Sequence, residues 1–293
     1  MNSIRIWQSA CKFSTSSLAR SSFEVRNLGN NVVHVEMNRP DRRNAFTLDM
    51  WRESKKIFDE LSLDPECRAI VLSGKGKSFC SGIDLQMGMS ELIKAVQDDS
   101  IDVGRKARMI ERIVTDAQAG FTAIEKCSKP VIAAVHSHCV GAGVDMITAC
   151  DIRYASQDST FCVKEVDIGM AADVGTLNRF PKIGANESWV KEVCLTARNF
   201  GADEALQYGL ISRIFVSPKE CVNGALDLAA SIAEKSPIAV QGTKKTLNYA
   251  RDHTVDESLE MIKMWNMSQL LSTDLFEGAM AAMQKKKPSF KNL

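Results

Sequence analysis

Three acidic residues stand out by their surroundings: Asp145, Glu165 and Asp173 sit among small and apolar neighbours. Asp145 falls in the first turn of a helix opened by Gly141-Ala142-Gly143, within a run that includes Val144, Met146 and Ile147. Glu165 follows Lys164 at the end of a strand. Asp173 lies in Met170-Ala171-Ala172-Asp173-Val174-Gly175-Thr176, where it would cap the next helix. Each acid has a plain structural reading, because carboxylates complement the macrodipole in a first helical turn and cap helices from just ahead of them. Taken together, they form an acid/base cluster. Carboxyl groups gathered in a low-dielectric pocket cannot all ionise, so at least one keeps a proton that it can deliver.

Two glycine-rich turns accompany the acids: residues 74–84, containing Cys80-Ser81-Gly82-Ile83, and Gly141-Ala142-Gly143. Glycine lets a backbone approach a ligand closely, and a helix N-terminus presents unpaired N–H groups at its positive end. Proton transfer beside a carbonyl builds negative charge on its oxygen, and backbone donors aimed there stabilise it by about 3 kcal/mol or more. Either turn alone would read equally well as an ordinary Gly/Ser loop.

Strands and helices must position these turns. Val32-Val33-His34-Val35-Glu36-Met37 alternates and is β-branched, so it predicts a strand. Residues 68–74 and 131–135 predict buried strands, and Ile152-Arg153-Tyr154-Ala155 and Thr160-Phe161-Cys162-Val163 predict short ones around a turn at Gln157-Asp158. Leu48, Trp51, Ile57, Phe58 and Leu61 fall on one helical face after a Thr47 cap, and residues 105–126 predict a long amphipathic helix. Beyond about residue 200 the pattern predicts only helices, near 202–208, 219–234, 238–250, 255–272 and 274–284. Strand-plus-helix units followed by a helical tail give an α/β architecture.

Composition narrows the function. A net charge of +1 provides no field to gather nucleic acid or an anionic membrane, and no apolar run is long enough to cross a bilayer. The nine cysteines are scattered and never spaced as C-x-x-C, so they read as reduced thiols, mostly buried. His34 reads as structural, and His136 and His138 lack nearby acids at metal-ligand spacing, so no metal is expected. Arg42, Arg43 and Lys75 read first as solvated surface and second as groups that could meet phosphates. The first 23 residues carry Arg5, Lys12, Arg20 and many serines but no acid, the composition of a mitochondrial transit peptide.

Several segments, in order, resemble the enoyl-CoA hydratase/isomerase (crotonase) superfamily over roughly residues 24–293. Asn38-Arg39-Pro40 with Arg43-Asn44-Ala45 resembles its opening motif, and Phe79-Cys80-Ser81-Gly82-Ile83-Asp84-Leu85 its first oxyanion loop. Lys129-Pro130-Val131-Ile132-Ala133-Ala134-Val135 followed by Gly141-Ala142-Gly143 resembles the strand and helix start that supply the second donor. Ala202-Asp203-Glu204-Ala205 to Gly209-Leu210-Ile211 resembles the segment after the active site. The resemblance implies a spiral of ββα units, with a catalytic core over 24–200 and a C-terminal helical trimerisation region over 201–293. It also implies oxyanion donors at Ile83 and Ala142, a substrate-binding loop of Ser81, Gly82, Ile83, Asp84 and Leu85, homotrimers or hexamers, and no separate cofactor, coenzyme A being part of the substrate.

Hydratases of this family resemble the chain in having acids where Asp145 and Glu165 stand, but they have glycine where it has Asp173. The run Lys164 to Leu177, with Ser236-Pro237-Ile238-Ala239-Val240-Gln241, Tyr249-Ala250-Arg251-Asp252-His253 and Trp265-Asn266-Met267-Ser268, is similar to the dienoyl-CoA isomerase branch. That likeness implies conversion of a 3,5-dienoyl-CoA to the 2,4-dienoyl-CoA in fatty-acid β-oxidation, in the mitochondrial matrix or else the peroxisome. The catalytic residues would be Asp145, Glu165 and Asp173. Two alternatives are an enoyl-CoA hydratase using Glu165 and Asp145, and an RNA-binding protein on the same scaffold. The second would rest on Lys244-Lys245 and Lys285-Lys286-Lys287, although a lysine run on a helix is usually a solvated face.

Overall fold

The strands β1 (Phe23–Asn27), β2 (Val32–Met37), β3 (Ala69–Gly74) and β4 (Val131–Val135) lie side by side in one sheet. In β3 and β4 every residue is buried and none is charged, the composition that a central parallel strand covered on both faces requires. This computed structural model describes residues 22–183 and 186–293, so nearly all of the segment read as a transit peptide lies outside the described residues. Beyond β4 come β5 (His138–Val140), β6 (Ile152–Ser156), β7 (Thr160–Cys162), β8 (Phe200–Gly201) and β9 (Arg213–Phe215). The main sheet runs β1-β2-β3-β4-β6-β9, antiparallel only at β1–β2, and a smaller sheet runs β5-β7-β8.

The helices are α1 (Leu48–Leu63), α2 (Ser90–Gln97), α3 (Val103–Lys126), α4 (Ala142–Ala149), α5 (Thr176–Arg179), α6 (Glu187–Thr196) and α7 (Ala202–Gln207). Four more follow: α8 (Pro218–Ala233), α9 (Pro237–Tyr249), α10 (Val255–Gln269) and α11 (Thr273–Met283). The Thr47 cap is present, its side chain accepting from the Met50 N–H. Alternation along the strands sends Val33, Val35, Ile70, Leu72, Val131 and Ala133 into a core shared with α1 and α3. Val32, Ala69, Val71, Ile132 and Ala134 face the other way, onto Cys221, Ala225, Ala229 and Ala233. Those four recur every fourth residue and are small, so α8 lies close against the sheet.

Two isolated parallel bridges, Phe46↔Ile83 and Cys80↔Cys139, extend the pairing of the small sheet toward the start of the chain. A main-sheet strand, a short second-layer strand or bridge, and a helix therefore recur along the chain. This is the expected α/β spiral of ββα units.

Three details differ from the sequence reading. The segment after residue 200 is not wholly helical, because β9 joins the edge of the main sheet beside β6. With three residues and serines on either side, it is too short to show a period. Helix α2 and strand β1 also escape the sequence pattern. Third, Lys244 is not on a solvated face: it is buried, its Nζ 2.7 Å from Asp151 Oδ2 and donating to Lys129 O at 2.9 Å. Asp151 Oδ2 also accepts the Val131 N–H at 2.7 Å, so one ion pair ties α9 to the start of β4.

Removing one partner of a buried pair strands the other charge. Lys244→Met is therefore expected to lower unfolding stability by about 3 kcal/mol. Urea denaturation checks this, and a loss below about 1 kcal/mol would show that Asp151 finds a substitute.

Candidate active site

The two glycine turns are held together by backbone pairing. Cys80 N–H donates to His138 O at 2.9 Å, Val140 N–H to Cys80 O at 3.0 Å, and Gly141 N–H to Cys162 O at 2.9 Å. The first turn is also braced from the opening motif. Buried Asn44 donates through Nδ2 to the carbonyls of Lys75, Ser78 and Phe79 at 3.0, 2.9 and 3.1 Å. Arg39 pairs with Asp84 at 3.1 Å. Asp84 also accepts the N–H groups of Gln86 and Met87 at 3.2 and 3.0 Å.

Gly82 and Gly141 have φ of +98° and +49°, which an L side chain rarely adopts. Space matters at the second as well: a Cβ on Gly141 would lie 2.9 Å from Glu165 Oε1. The backbone thus crosses directly over that carboxyl. The N–H groups of Ile83 and Ala142 meet no acceptor among the described residues. Ala142 is the first residue of α4, where the helix leaves its N–H unpaired.

These turns form one wall of a cavity of about 180 Å³ that also contains Asp145, Glu165 and Asp173. Ser81, Gly82, Ile83, Leu85 and Ala142 line it too. Asp84 does not line it; its carboxylate is spent on Arg39 and on its own loop. Apart from Lys164, the rest of the wall is apolar, with Trp51, Leu92, Ile113, Ala117, Met170 and Val174 supplied mainly by α1, α2 and α3. Sequence reasoning missed these residues. The spacing of Met89, Leu92, Ala95 and Val96 was the available signal for α2.

Asp145 is fully enclosed, and its Oδ1 accepts the Thr176 N–H at 2.6 Å. It therefore holds the first N–H of α5 while standing in the first turn of α4. Asp173 does not cap α5, contrary to the sequence expectation: the cap position is Gly175, and the first helical N–H, that of Thr176, goes to Asp145. Asp173 is fixed instead through its carbonyl, which accepts from Gln118 Nε2 at 2.7 Å. Gly175 has a further use, since Arg179 Nη1 lies 1.8 Å from where its Cβ would be.

The electrostatics follow from enclosure. Burial, followed by the nearby Asp145 charge, pushes the Glu165 carboxyl up to about 7. Glu165 Oε2 is buried and meets no partner among the described residues. Burial raises Asp145 to about 6 against the opposing Thr176 hydrogen bond, and burial also raises Asp173.

The histidines are held in ordinary contacts. His34 lies 2.8 Å from Ser73 Oγ, and His136 lies 3.1 Å from Gly76 O. The eight described cysteines are free and buried. Among the described residues, no group of three or more His, Cys, Asp or Glu side chains could hold a metal, and no helix is long and apolar enough to cross a membrane.

A spiral of ββα units carrying a carboxyl cluster beside two unpaired backbone donors defines an acid–base site able to stabilise an oxyanion. The chain belongs to the enoyl-CoA hydratase/isomerase family, whose model matches residues 27–292. It is 51% identical to the mitochondrial Delta(3,5)-Delta(2,4)-dienoyl-CoA isomerase of Rattus norvegicus over 265 residues, 90% of this chain and 80% of that protein. It is 44% identical to the peroxisomal Delta(3,5)-Delta(2,4)-dienoyl-CoA isomerase of Arabidopsis thaliana, over 92% of this chain and 95% of that one. The crystal structure of an enoyl-CoA hydratase from Bacillus anthracis superposes with a TM-score of 0.82, covering 92% of this chain and 99% of that one. At 24% identity, that likeness speaks for the fold alone.

Because Gly141 combines a forbidden φ with a 2.9 Å approach to Glu165, Gly141→Ala should displace both the carboxyl and the adjoining donor. The expected loss in kcat is about 10²-fold, the scale of one lost oxyanion donor. Steady-state kinetics check it, with circular dichroism confirming the fold; wild-type kcat would contradict the close approach.

Proposed function

We propose that the chain converts a 3,5-dienoyl-CoA to the 2,4-dienoyl-CoA, with Glu165 and Asp173 exchanging protons with the substrate and the N–H groups of Ile83 and Ala142 holding its thioester oxygen. The observation that carries this reading is Asp173 in the same cavity as Glu165 and Asp145. A hydratase needs only two acids around one double bond. Shifting a diene requires proton transfer at both ends of a longer conjugated system.

The proton leaves C2, and the electron pair spreads over the thioester oxygen and along the diene to C6, where a proton arrives. Glu165 is assigned to C2 because Gly141, immediately before the Ala142 donor, packs on its Oε1. A base beside the oxyanion site is a base beside the α-carbon. Asp173, another acid that lines the cavity with Glu165, is assigned to C6. Asp145, which lines the same cavity, is the third acid near the middle of the diene: tied to Thr176, it raises the Glu165 carboxyl and limits how much charge the cavity carries.

The reaction needs no separate cofactor, since every step is a proton transfer. The rat relative is named mitochondrial and the Arabidopsis one peroxisomal. The chain is assigned to the mitochondrion on the closer identity, with the peroxisome as the alternative. Core residues 24–200 carry the chemistry in this reading, although β9 and α8 pack with the main sheet. The helices α10 and α11 and the turn between them leave Leu259, Met267, Leu271 and Phe276 exposed, which supports subunit contact in a trimer or hexamer.

Glu165→Gln and Asp173→Asn should each reduce isomerisation by about 10²–10⁴-fold, the range for a lost general acid or base. The ultraviolet change as the diene becomes conjugated with the thioester provides the assay; near-wild-type rates in either variant would sink the scheme. The base must be ionised to take the C2 proton. kcat/KM should therefore rise with pH as Glu165 loses its proton near 7 and fall again where Asp173, which must carry the proton it gives to C6, loses its own. A flat profile there would contradict the assignment of Glu165.

A further inference from the structure

Asp173 lines two cavities. One is the apolar chamber shared with Glu165; the other, of about 310 Å³, is walled by Gln118, Thr122, Asn178 and Arg179. Adjacent residues of α3 mark the divide, with Ala117 lining the first and Gln118 the second. The second pocket is at the surface, since its lining residues Asn178, Lys182 and Asp252 are exposed. Its other charged side chains are held in ion pairs. Glu125 pairs with Arg179 at 3.0 Å and with Arg251 at 2.9 Å, and Lys182 pairs with Asp252. A pocket of that size and polarity suits water, which needs about 30 Å³ per molecule and two to four polar partners.

We propose that this second pocket is the route by which solvent returns a proton to Asp173 after each turnover. The inference rests on the reading of Asp173 as the acid at C6. In one turnover the Glu165 carboxylate takes a proton from C2, and the Asp173 carboxyl gives one to C6. The enzyme ends with the same number of protons in the wrong places, Glu165 protonated and Asp173 ionised. Passing the proton directly from Glu165 to Asp173 would carry the C2 hydrogen to C6 of a later substrate. The geometry supplies another path. Because Asp173 lines both cavities, a proton from water in the second pocket reaches it while the first chamber is filled, and Glu165 releases its own proton to water once the product has left.

The test follows the hydrogen atoms. With substrate deuterated at C2 in ordinary water, the wild-type product should carry almost no deuterium at C6. In deuterium oxide it should gain about one deuterium at C6 per turnover. Asn178→Leu makes the pocket narrower and less polar without removing a side-chain hydrogen bond, and Thr122→Val, which removes the hydroxyl that accepts from Arg179, serves as a second variant if the first fails to fold. Either should lower kcat several-fold with KM unchanged and should move deuterium from C2 to C6. Extensive C2-to-C6 transfer by the wild type, or variants that leave kcat and the label unchanged, would overturn the route. A fall in kcat without any change in label would also overturn it. Asp173→Asn separates the two layers of the argument. If that variant isomerises normally, the reading of Asp173 as the acid is wrong; if it is inactive while the wild type carries the C2 label to C6, only the route is wrong.

Discussion

Three carboxyl groups enclosed in one largely apolar chamber cannot all carry charge, and much of the site is organised around that constraint. Burial is the largest influence on each of them, and their mutual repulsion adds to it for Glu165. The fold bears the consequence. Raising Glu165 from 4.5 to about 7 means the folded chain binds that proton more tightly than the unfolded chain does. Stability from this group is greatest below the unfolded value and falls as pH rises through about 7, by on the order of 3 kcal/mol in all. A carboxyl kept at that value can both take and give protons near neutrality, which one at its ordinary value cannot do efficiently.

The spiral of ββα units makes the chamber possible. Each second-layer strand or bridge ends where a turn begins, so Cys80, Cys139 and Phe161 line up and set neighbouring turns side by side. Residues far apart in the chain thereby share one wall: Ile83 from one unit, Ala142 from the next and Glu165 from the one after. Asp145 then joins two units, holding the start of α5 with the carboxylate that also raises Glu165. The small residues between them follow from the same crowding, since a side chain at Gly141 would meet Glu165 and one at Gly143 would meet Cys80.

Much of this was legible in the sequence, for reasons specific to each part. Buried parallel strands announce themselves by uncharged β-branched runs, and α1, α3 and the helices after α7 by their period. Acids in apolar runs are conspicuous because burial of charge is expensive. What stayed hidden depends on tertiary neighbours. Arg39 and Asn44 gain their roles only when residues 74–84 fold back on them. Trp51, Leu92 and Ala117 have the same chemistry whether they fill a core or line a cavity. Lys244 looked like half of a surface lysine pair until Asp151 was placed beside it. Strand β1 was legible in principle, since Phe23-Glu24-Val25-Arg26-Asn27 alternates, but it adjoins a basic, serine-rich segment of a different character.

The distinction between hydration and diene isomerisation thus turns on one additional acid within a chamber built to hold protons. The constraint itself can be measured without substrate. Infrared difference spectroscopy of the carboxyl stretch, with Glu165→Gln used to assign the band, would titrate Glu165 in the wild type and in Asp145→Asn. Shared enclosure predicts a Glu165 titration near 7 that moves down when Asp145 can no longer ionise. Titration at the ordinary glutamate value of 4.5, unchanged by the Asp145 substitution, would contradict it.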